Sequence, residues 1–140
     1  MSLLVVDAVH KHFDGVHAVD GVSFALTAGE FAALIGPNGA GKSTLFGVIA
    51  GQHRADRGAL SFDGRPIAGR TAARLARAGI GRTFQTAQAW ATLTARENLQ
   101  LALAAHAGRV ADPWTPLGRL YVDDAEALLA RVGLQAQAAR

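Results

Sequence analysis

The sequence contains no cysteine, and this absence excludes disulfide bonds and thiolate metal sites. Long apolar runs are also missing, because stretches such as residues 31–35 are far shorter than the roughly 20 residues that a membrane helix needs. The first residues, MSLLVVDAVHKHF, contain no apolar run of signal-peptide length and place Asp7 early. We therefore expect a soluble chain, which is compatible with a peripheral subunit of a membrane complex.

A large excess of one charge is missing as well. The formal net charge is +3, although the pI is about 10.2. A basic pI is compatible with a nucleic-acid partner. However, the basic residues are scattered, and the densest group, Arg70, Arg74 and Arg77, has the spacing of one helix face, which is usually solvated. We favour the solvated face and expect no nucleic-acid partner.

The apolar residues, half of the 140, support one modest domain with a core. Hydrophobic patterns and turn residues predict mixed α and β structure for the first ~90 residues and helices for the remainder. The expected strands cover residues 3–13, 17–29, 31–36, 58–67 and 80–84, with a turn at 13–15, and the expected helices follow Gly41 and cover 71–79, 94–108 and 122–133. The run at 31–36 is continuously apolar, which is typical of a strand covered on both faces.

A glycine-rich segment, GPNGAGKS at residues 36–43, fits the phosphate-loop pattern G-x-x-x-x-G-K-[ST]. Glycines let backbone N–H groups surround a phosphate, and the following helix adds the positive end of its dipole. The Lys42 ammonium would neutralise phosphate charge, and the Ser43 hydroxyl would bind Mg²⁺. The candidate nucleotide-binding residues of the loop are Gly36, Asn38, Gly39, Ala40, Gly41, Lys42, Ser43 and Thr44.

The segment GPNGAGKST resembles the Walker A loop of ABC-type ATPases, and two further residues agree with that family in order and spacing. Phe13 precedes Lys42 by 42 − 13 = 29 residues, and the resemblance implies that its ring stacks on adenine. Gln85 follows Lys42 by 85 − 42 = 43 residues, in GIGRTFQ, which is similar to the Q-loop. That likeness implies a catalytic glutamine that binds Mg²⁺, lies near the attacking water and communicates with membrane subunits. A core or turn role for Phe13 and an ordinary polar role for Gln85 are the alternatives.

The resemblance implies an α/β fold, a P-loop NTPase of the ABC ATPase type. The chain would be a truncated ATP-binding domain over 1–140, with an N-terminal antiparallel β portion and P-loop core at 1–85 and the start of a helical subdomain at 86–140. It further implies an ATPase that uses ATP and Mg²⁺ to drive import of a small solute. The implied partners are transmembrane permease subunits and a second ATP-binding subunit, and the implied location is peripheral, at the cytoplasmic face of the inner membrane.

The segments GEFAALIGPNGAGKSTLFGVIAG, GIGRTFQ and LTARENL are most similar to ATP-binding subunits of branched-chain amino acid importers. Importers of urea and related amides are near neighbours. A non-transport ABC ATPase acting on nucleic acid is an alternative from another class, which the short spacing from Lys42 to Gln85 opposes. A nucleotide-binding module without catalysis of its own is a further alternative.

Motifs that complete such an ATPase are missing. The sequence contains no LSGGQ-like signature, no switch histidine and no clear Walker B strand. The only Walker B candidate is LYVDD at 120–124, and we interpret Asp123 and Asp124 as helix N-terminal acids that favour the helix dipole. We therefore expect a chain that ends before the signature, binds nucleotide, does not hydrolyse it alone, and leaves 31–36 and the loop helix without apolar cover.

Four other residues have weaker functional interpretations. His10 and His12 share a strand face, as metal ligands do, but no third ligand is evident, and a surface position is favoured. Trp90 and Trp114 are candidates for partner contacts, although packing is the usual role of tryptophan.

Overall fold

A computed structural model of the chain describes residues 2–84, 86, 89–110 and 116–139. The chain forms two compact units, residues 1–82 and residues 83–140. The first unit contains a sheet with two helices, and the regular structure described in the second is helical.

The sheet of the first unit has the strand order β2-β1-β3-β4 and is antiparallel throughout. Its strands are β1 (Ser2–Phe13), β2 (Val16–Thr27), β3 (Arg57–Phe62) and β4 (Arg65–Pro66). The turn between β1 and β2 places Asp14 and Gly15 at φ 43° and 87°, the left-handed geometry of a tight hairpin. The two strands, the turn between them, and the later strand and turn that the sequence predicts are therefore confirmed.

Two short helices lie in this unit, α1 (Lys42–Ile49) and α2 (Ala72–Arg77). They share one apolar core with the sheet, formed by Val6, Val9, Val19, Leu45, Val48, Ile49, Leu60, Ile67 and Leu75. Phe46 is 49% exposed, so it does not belong to the buried stripe of α1. Arg70 precedes α2, so the prediction that three arginines share that helix is wrong, although Arg70, Arg74 and Arg77 are all exposed as expected.

Two predicted strands are not formed. Residues 31–36 and 80–84 have no regular structure, and the side chains of Phe31 and Ile35 are 97% and 90% exposed. A strand buried on both faces needs neighbouring strands and covering layers. Among the described residues, nothing extends the sheet past β2 or β4, so this apolar segment has neither. The expected loss of apolar cover is confirmed at 31–36, but it is wrong for α1, whose Leu45, Val48 and Ile49 are buried in the core.

The second unit is built on α3 (Ala95–His106) and α4 (Val122–Arg131), with 3-10 turns at Leu117–Arg119 and Gln135–Gln137. The predicted capping box is present, because the Thr94 hydroxyl accepts from the Glu97 N–H while the Glu97 carboxylate accepts from the Thr94 N–H. Asp123 and Asp124 lie in the first turn of α4, as expected. The helix expected over 122–133 ends at Arg131; α4 buries Leu129, whereas Val132 follows it and is 67% exposed.

The carboxylate of Asp56 links the start of β3 to the end of β1. Its oxygens accept from Lys11 Nζ at 2.9 Å and from the backbone N–H of His12 at 2.6 Å. These hydrogen bonds lower the pKa of Asp56 to about 2, and the one from Lys11 has the largest effect. Since the folded-state pKa lies below that of the unfolded chain, the contribution of Asp56 to stability is present above about pH 4 and is lost as the pH falls towards 2.

Replacing Asp56 with asparagine should therefore flatten the acid limb of the stability curve. We expect Asp56→Asn to be less stable than the parent at pH 5, and the difference between them to shrink between pH 4 and 2. Urea denaturation at a series of pH values measures both effects. Asp7→Asn, which removes an exposed carboxylate from β1, is the matched control. An equal pH dependence in Asp56→Asn and the parent would contradict the assignment.

Candidate functional site

The glycine loop at 36–43 leads directly into α1. Gly39 and Gly41 have φ of 84° and 80°, so each adopts the left-handed geometry that glycine favours. Gly41 immediately precedes the helix, and a Cβ atom there would overlap the carbonyl oxygen of Ala18 in β2. Because Gly41 has no side chain to cap the first turn, the N–H groups of that turn are suited to an anion.

Lys42 is the first residue of α1, and its ammonium bends back over the loop. Its Nζ donates to the carbonyl oxygens of Gly36 and Pro37, each at 2.6 Å. The loop thus encircles a positive charge at the start of a helix. Ser43 follows in the first turn with an exposed side chain, and its hydroxyl is the type of oxygen ligand that Mg²⁺ prefers.

A cavity of about 310 Å³ lies against this loop. Its volume falls at the lower end of the range for small-molecule sites. The ammonium of Lys42 supplies positive charge and Asp20 supplies a carboxylate, while β2 contributes apolar wall. The lining residues are His17, Ala18, Val19, Asp20, Val22, Leu34, Ile35, Gly39, Ala40, Gly41, Lys42 and Leu45.

The predicted site residues are only partly brought together in this cavity. Four loop residues, Gly39, Ala40, Gly41 and Lys42, line it, whereas the other loop candidates, Gly36, Asn38, Ser43 and Thr44, are not among the described lining residues. Phe13 lies at the end of β1 with its ring 41% exposed, and it is not among them either. Gln85 and Trp114 lie outside the described residues.

The surroundings of Phe13 are defined. The Lys11 ammonium lies over the Phe13 ring, 5.1 Å from its centre, and the His53 ring lies 5.3 Å away with its plane nearly perpendicular to that of Phe13. A substantial part of Phe13 stays exposed beside these two groups. A flat, partly exposed aromatic surface is what stacking on a nucleobase requires.

The sequence patterns did not identify two polar residues that line the cavity, His17 and Asp20. They lie on β2, and no motif marks them. Their position depends on the pairing of β2 with β1, which is shifted between Val9 and His12. Local patterns do not reveal such shifts, so the residues became recognisable only from the fold.

Metal-ligating side chains do not gather elsewhere in the described part of the chain. Within residues 2–84, 86, 89–110 and 116–139, no group of three or more histidine, aspartate or glutamate side chains could hold a metal ion. No helix in the same ranges is long and apolar enough to cross a bilayer.

Comparison with known proteins places these features in a family. The family model for ABC transporters matches residues 19–140. The chain is 38% identical over 121 residues to a probable branched-chain amino acid transport ATP-binding protein, LivG, of Methanocaldococcus jannaschii, covering 86% of this chain and 45% of that protein. It is 44% identical over 99 residues to the ribose import ATP-binding protein RbsA 1 of Rubrobacter xylanophilus, covering 71% of this chain and 20% of that protein.

Solved structures agree. A nucleotide-free ATP-binding cassette from an ABC transporter matches with a TM-score of 0.80 and 33% identity, and the ADP conformation of such a cassette matches with a TM-score of 0.79 and 33% identity. Each match covers 100% of this chain and 57% of the other. The chain thus spans less than half of the two curated relatives and little more than half of the solved cassettes. The sequence motifs, the glycine loop opening α1 and these matches together show that the chain belongs to the ATP-binding cassette family of ABC transporters.

Proposed function

We propose that this chain is the nucleotide-binding part of an ATP-driven importer, in which ATP binding and hydrolysis drive uptake of a small solute. The observation that carries the proposal is the Lys42 ammonium, held inside a glycine loop at the start of α1 and beside a cavity of about 310 Å³. A concentrated positive charge with backbone N–H groups around it suits a triphosphate.

Nucleotide binding uses the residues of the loop in turn. The ammonium of Lys42 exchanges its two carbonyl partners for phosphate oxygens, which are charged and therefore make stronger hydrogen bonds. N–H groups from Gly39 to Thr44 donate to the same phosphates, and Phe13 stacks on the adenine. Gly36, Asn38 and Ala40 keep the backbone of the loop close to the phosphates.

The metal and the reacting water involve two further residues. Ser43 would hold Mg²⁺ through its exposed hydroxyl, and the ion would neutralise charge on the β- and γ-phosphates. Gln85 is the proposed catalytic residue, which would complete the Mg²⁺ site and orient the attacking water. Since the sequence contains neither an LSGGQ-like segment nor a clear Walker B strand, we expect the 140-residue chain to bind ATP without turnover when it is alone.

The proposed partners follow from the import function. A second ATP-binding subunit would close over the nucleotide, and transmembrane permease subunits would receive the resulting motion. The chain would then be peripheral, at the cytoplasmic face of the inner membrane. Residues 1–85 would form the nucleotide-binding part, and residues 86–140 the start of a helical subdomain.

Branched-chain amino acids are the proposed solute, because the segments at 29–51, 79–85 and 93–99 are most similar to importers of that type and two LivG proteins match 86% and 79% of this chain. A sugar is the second candidate, because sugar import proteins match at 44% identity over 71% of the chain and at 38% identity over 95% of it. Uptake of labelled leucine and labelled ribose, with and without the gene for this chain, separates the two. Loss of leucine uptake alone supports the proposal, whereas loss of ribose uptake alone favours the sugar.

The binding step is tested by Lys42→Ala. Removing the ammonium deletes charge-assisted hydrogen bonds to phosphate, so we expect ATP affinity to fall by about 10- to 100-fold. Titration of a fluorescent ATP analogue measures the loss, and circular dichroism checks that the variant is folded. Arg74→Ala, which removes an exposed positive charge from α2, should bind ATP as the parent does. Equal ATP affinity of Lys42→Ala and the parent would show that the loop is not the nucleotide site.

A further inference from the structure

Two histidine rings face each other across the β1–β2 hairpin. His12 and His17 are paired residues in the register of the two strands. His12 Nε2 lies 2.9 Å from His17 Nδ1, and the ring planes are nearly perpendicular, at 81°. His17 is exposed and the side chain of His12 is 35% exposed, so an ion from solvent reaches both nitrogens without opening the fold.

The tautomer of His12 is set by Asp56. The distance from His12 Nδ1 to Asp56 Oδ2 is 3.1 Å, and an ionised carboxylate accepts hydrogen bonds but cannot donate them. The ammonium of Lys11 lies 2.9 Å from the other oxygen of this carboxylate and stabilises its ionised form. Nδ1 of His12 therefore carries the hydrogen, and the lone pair of Nε2 faces His17. A histidine held in this way by a carboxylate is the usual arrangement of a metal ligand and its supporting group.

We propose that His12 and His17 form a binding site for a divalent transition-metal ion, with Asp56 as the group that orients His12. The two nitrogens already lie 2.9 Å apart, so both can reach one ion once the rings rotate. Imidazole nitrogen suits Cu²⁺, Ni²⁺ and Zn²⁺, and among divalent first-row ions a given site generally binds Cu²⁺ most tightly. Water would complete the coordination.

The ion would take the place of the hydrogen that lies between His12 Nε2 and His17 Nδ1. The Nδ1 hydrogen of His17 leaves to solvent while its Nε2 takes up another, so neutral His17 changes tautomer and no net proton is released. Both rings then rotate until their lone pairs converge on the ion. The charged and titratable neighbours are Lys11 and Asp56 beside His12, His10 with its ring stacked 6.5 Å from that of His12, and Asp20, which pairs with His10 at 2.9 Å.

The test uses the 140-residue chain, purified without a histidine tag and titrated with Cu²⁺ at pH 7.5. We expect one tightly held ion per chain, with an electron paramagnetic resonance spectrum that shows two coupled imidazole nitrogens. His17→Ala should lose one of these nitrogens and at least about tenfold in affinity, and Asp56→Asn should lose about tenfold through misorientation of His12. His106→Ala, at the end of α3, is the matched control and should behave as the parent does.

Two results would overturn the site. One is an unchanged Cu²⁺ affinity and spectrum in His17→Ala and His12→Ala, which would show that the ion binds elsewhere. The other is a spectrum of the parent chain without two coupled imidazole nitrogens, which would show that the two rings do not bind the ion together. Circular dichroism of each variant checks folding, and since His17 is exposed on the hairpin, its removal leaves the apolar core intact.

Discussion

Replacing Gly41 with alanine should abolish nucleotide binding and destabilise the first unit by about 3 kcal/mol or more. Two physical effects combine at this residue. Its φ of 80° lies in the left-handed region, where a Cβ atom is unfavourable. That Cβ would also overlap the carbonyl oxygen of Ala18 and lie 3.0 Å from the carbonyl carbon. Both are backbone atoms of β2, close to the hairpin turn, and they move aside less readily than a flexible side chain would.

The added Cβ atom should therefore push the loop away from β2. Because Gly41 is the residue before α1, the displacement moves Lys42 and the first-turn N–H groups, which are the proposed phosphate ligands. Urea denaturation measures the stability loss, and titration of a fluorescent ATP analogue measures the binding loss. Both losses should exceed those of Lys42→Ala, which removes one side chain but leaves the loop in place.

Gly39→Ala is the matched control. Gly39 has nearly the same φ, 84°, but a Cβ atom there meets nothing within 4 Å. It should therefore incur only the backbone cost, about 1–2 kcal/mol, and keep measurable ATP affinity. If Gly39→Ala and Gly41→Ala were equally damaging, the close approach of the loop to Ala18 would not be the cause.

The loop illustrates what the sequence predicts well about the site. The order of glycines, Lys42 and Ser43 is a local pattern, and local backbone geometry follows from it: Gly39 and Gly41 are left-handed, and the helix begins at Lys42. The far wall of the cavity was not predicted, because His17 and Asp20 reach it through the irregular pairing of β1 with β2. A shift of one residue in that pairing changes which side chains face the loop.

The fold shows the same division between local and non-local information. The hairpin turn at Asp14 and Gly15 and the capping box of Thr94 and Glu97 formed as predicted, since each depends on residues at most three positions apart. The apolar segment at 31–36 did not form its predicted strand. Its apolar pattern indicates only that burial would be favourable. A strand also requires neighbouring strands to hydrogen-bond with, and no described residue supplies one.

An apolar side chain stabilises the fold only where it is buried, and this gives the second large expected effect. Leu75 of α2 is 1% exposed and belongs to the core of the first unit. Leu75→Ala removes apolar atoms from a packed site and leaves a cavity, so we expect a loss of about 2–5 kcal/mol in the free energy of unfolding. That is a large fraction of the 5–15 kcal/mol that a typical domain possesses. Urea denaturation followed by circular dichroism measures the change, and loss of the cooperative transition would mark the upper end of the range.

Phe31→Ala is the matched comparison, because it removes a larger apolar side chain from a residue that is 97% exposed. Little burial is lost, so its effect should stay within about 0.5 kcal/mol. The exposed ring instead favours association between chains, and we expect Phe31→Ala to remain monomeric at higher concentration than the parent, as measured by light scattering. A loss near that of Leu75→Ala would mean that residues 31–36 pack against the core after all, as a buried strand would.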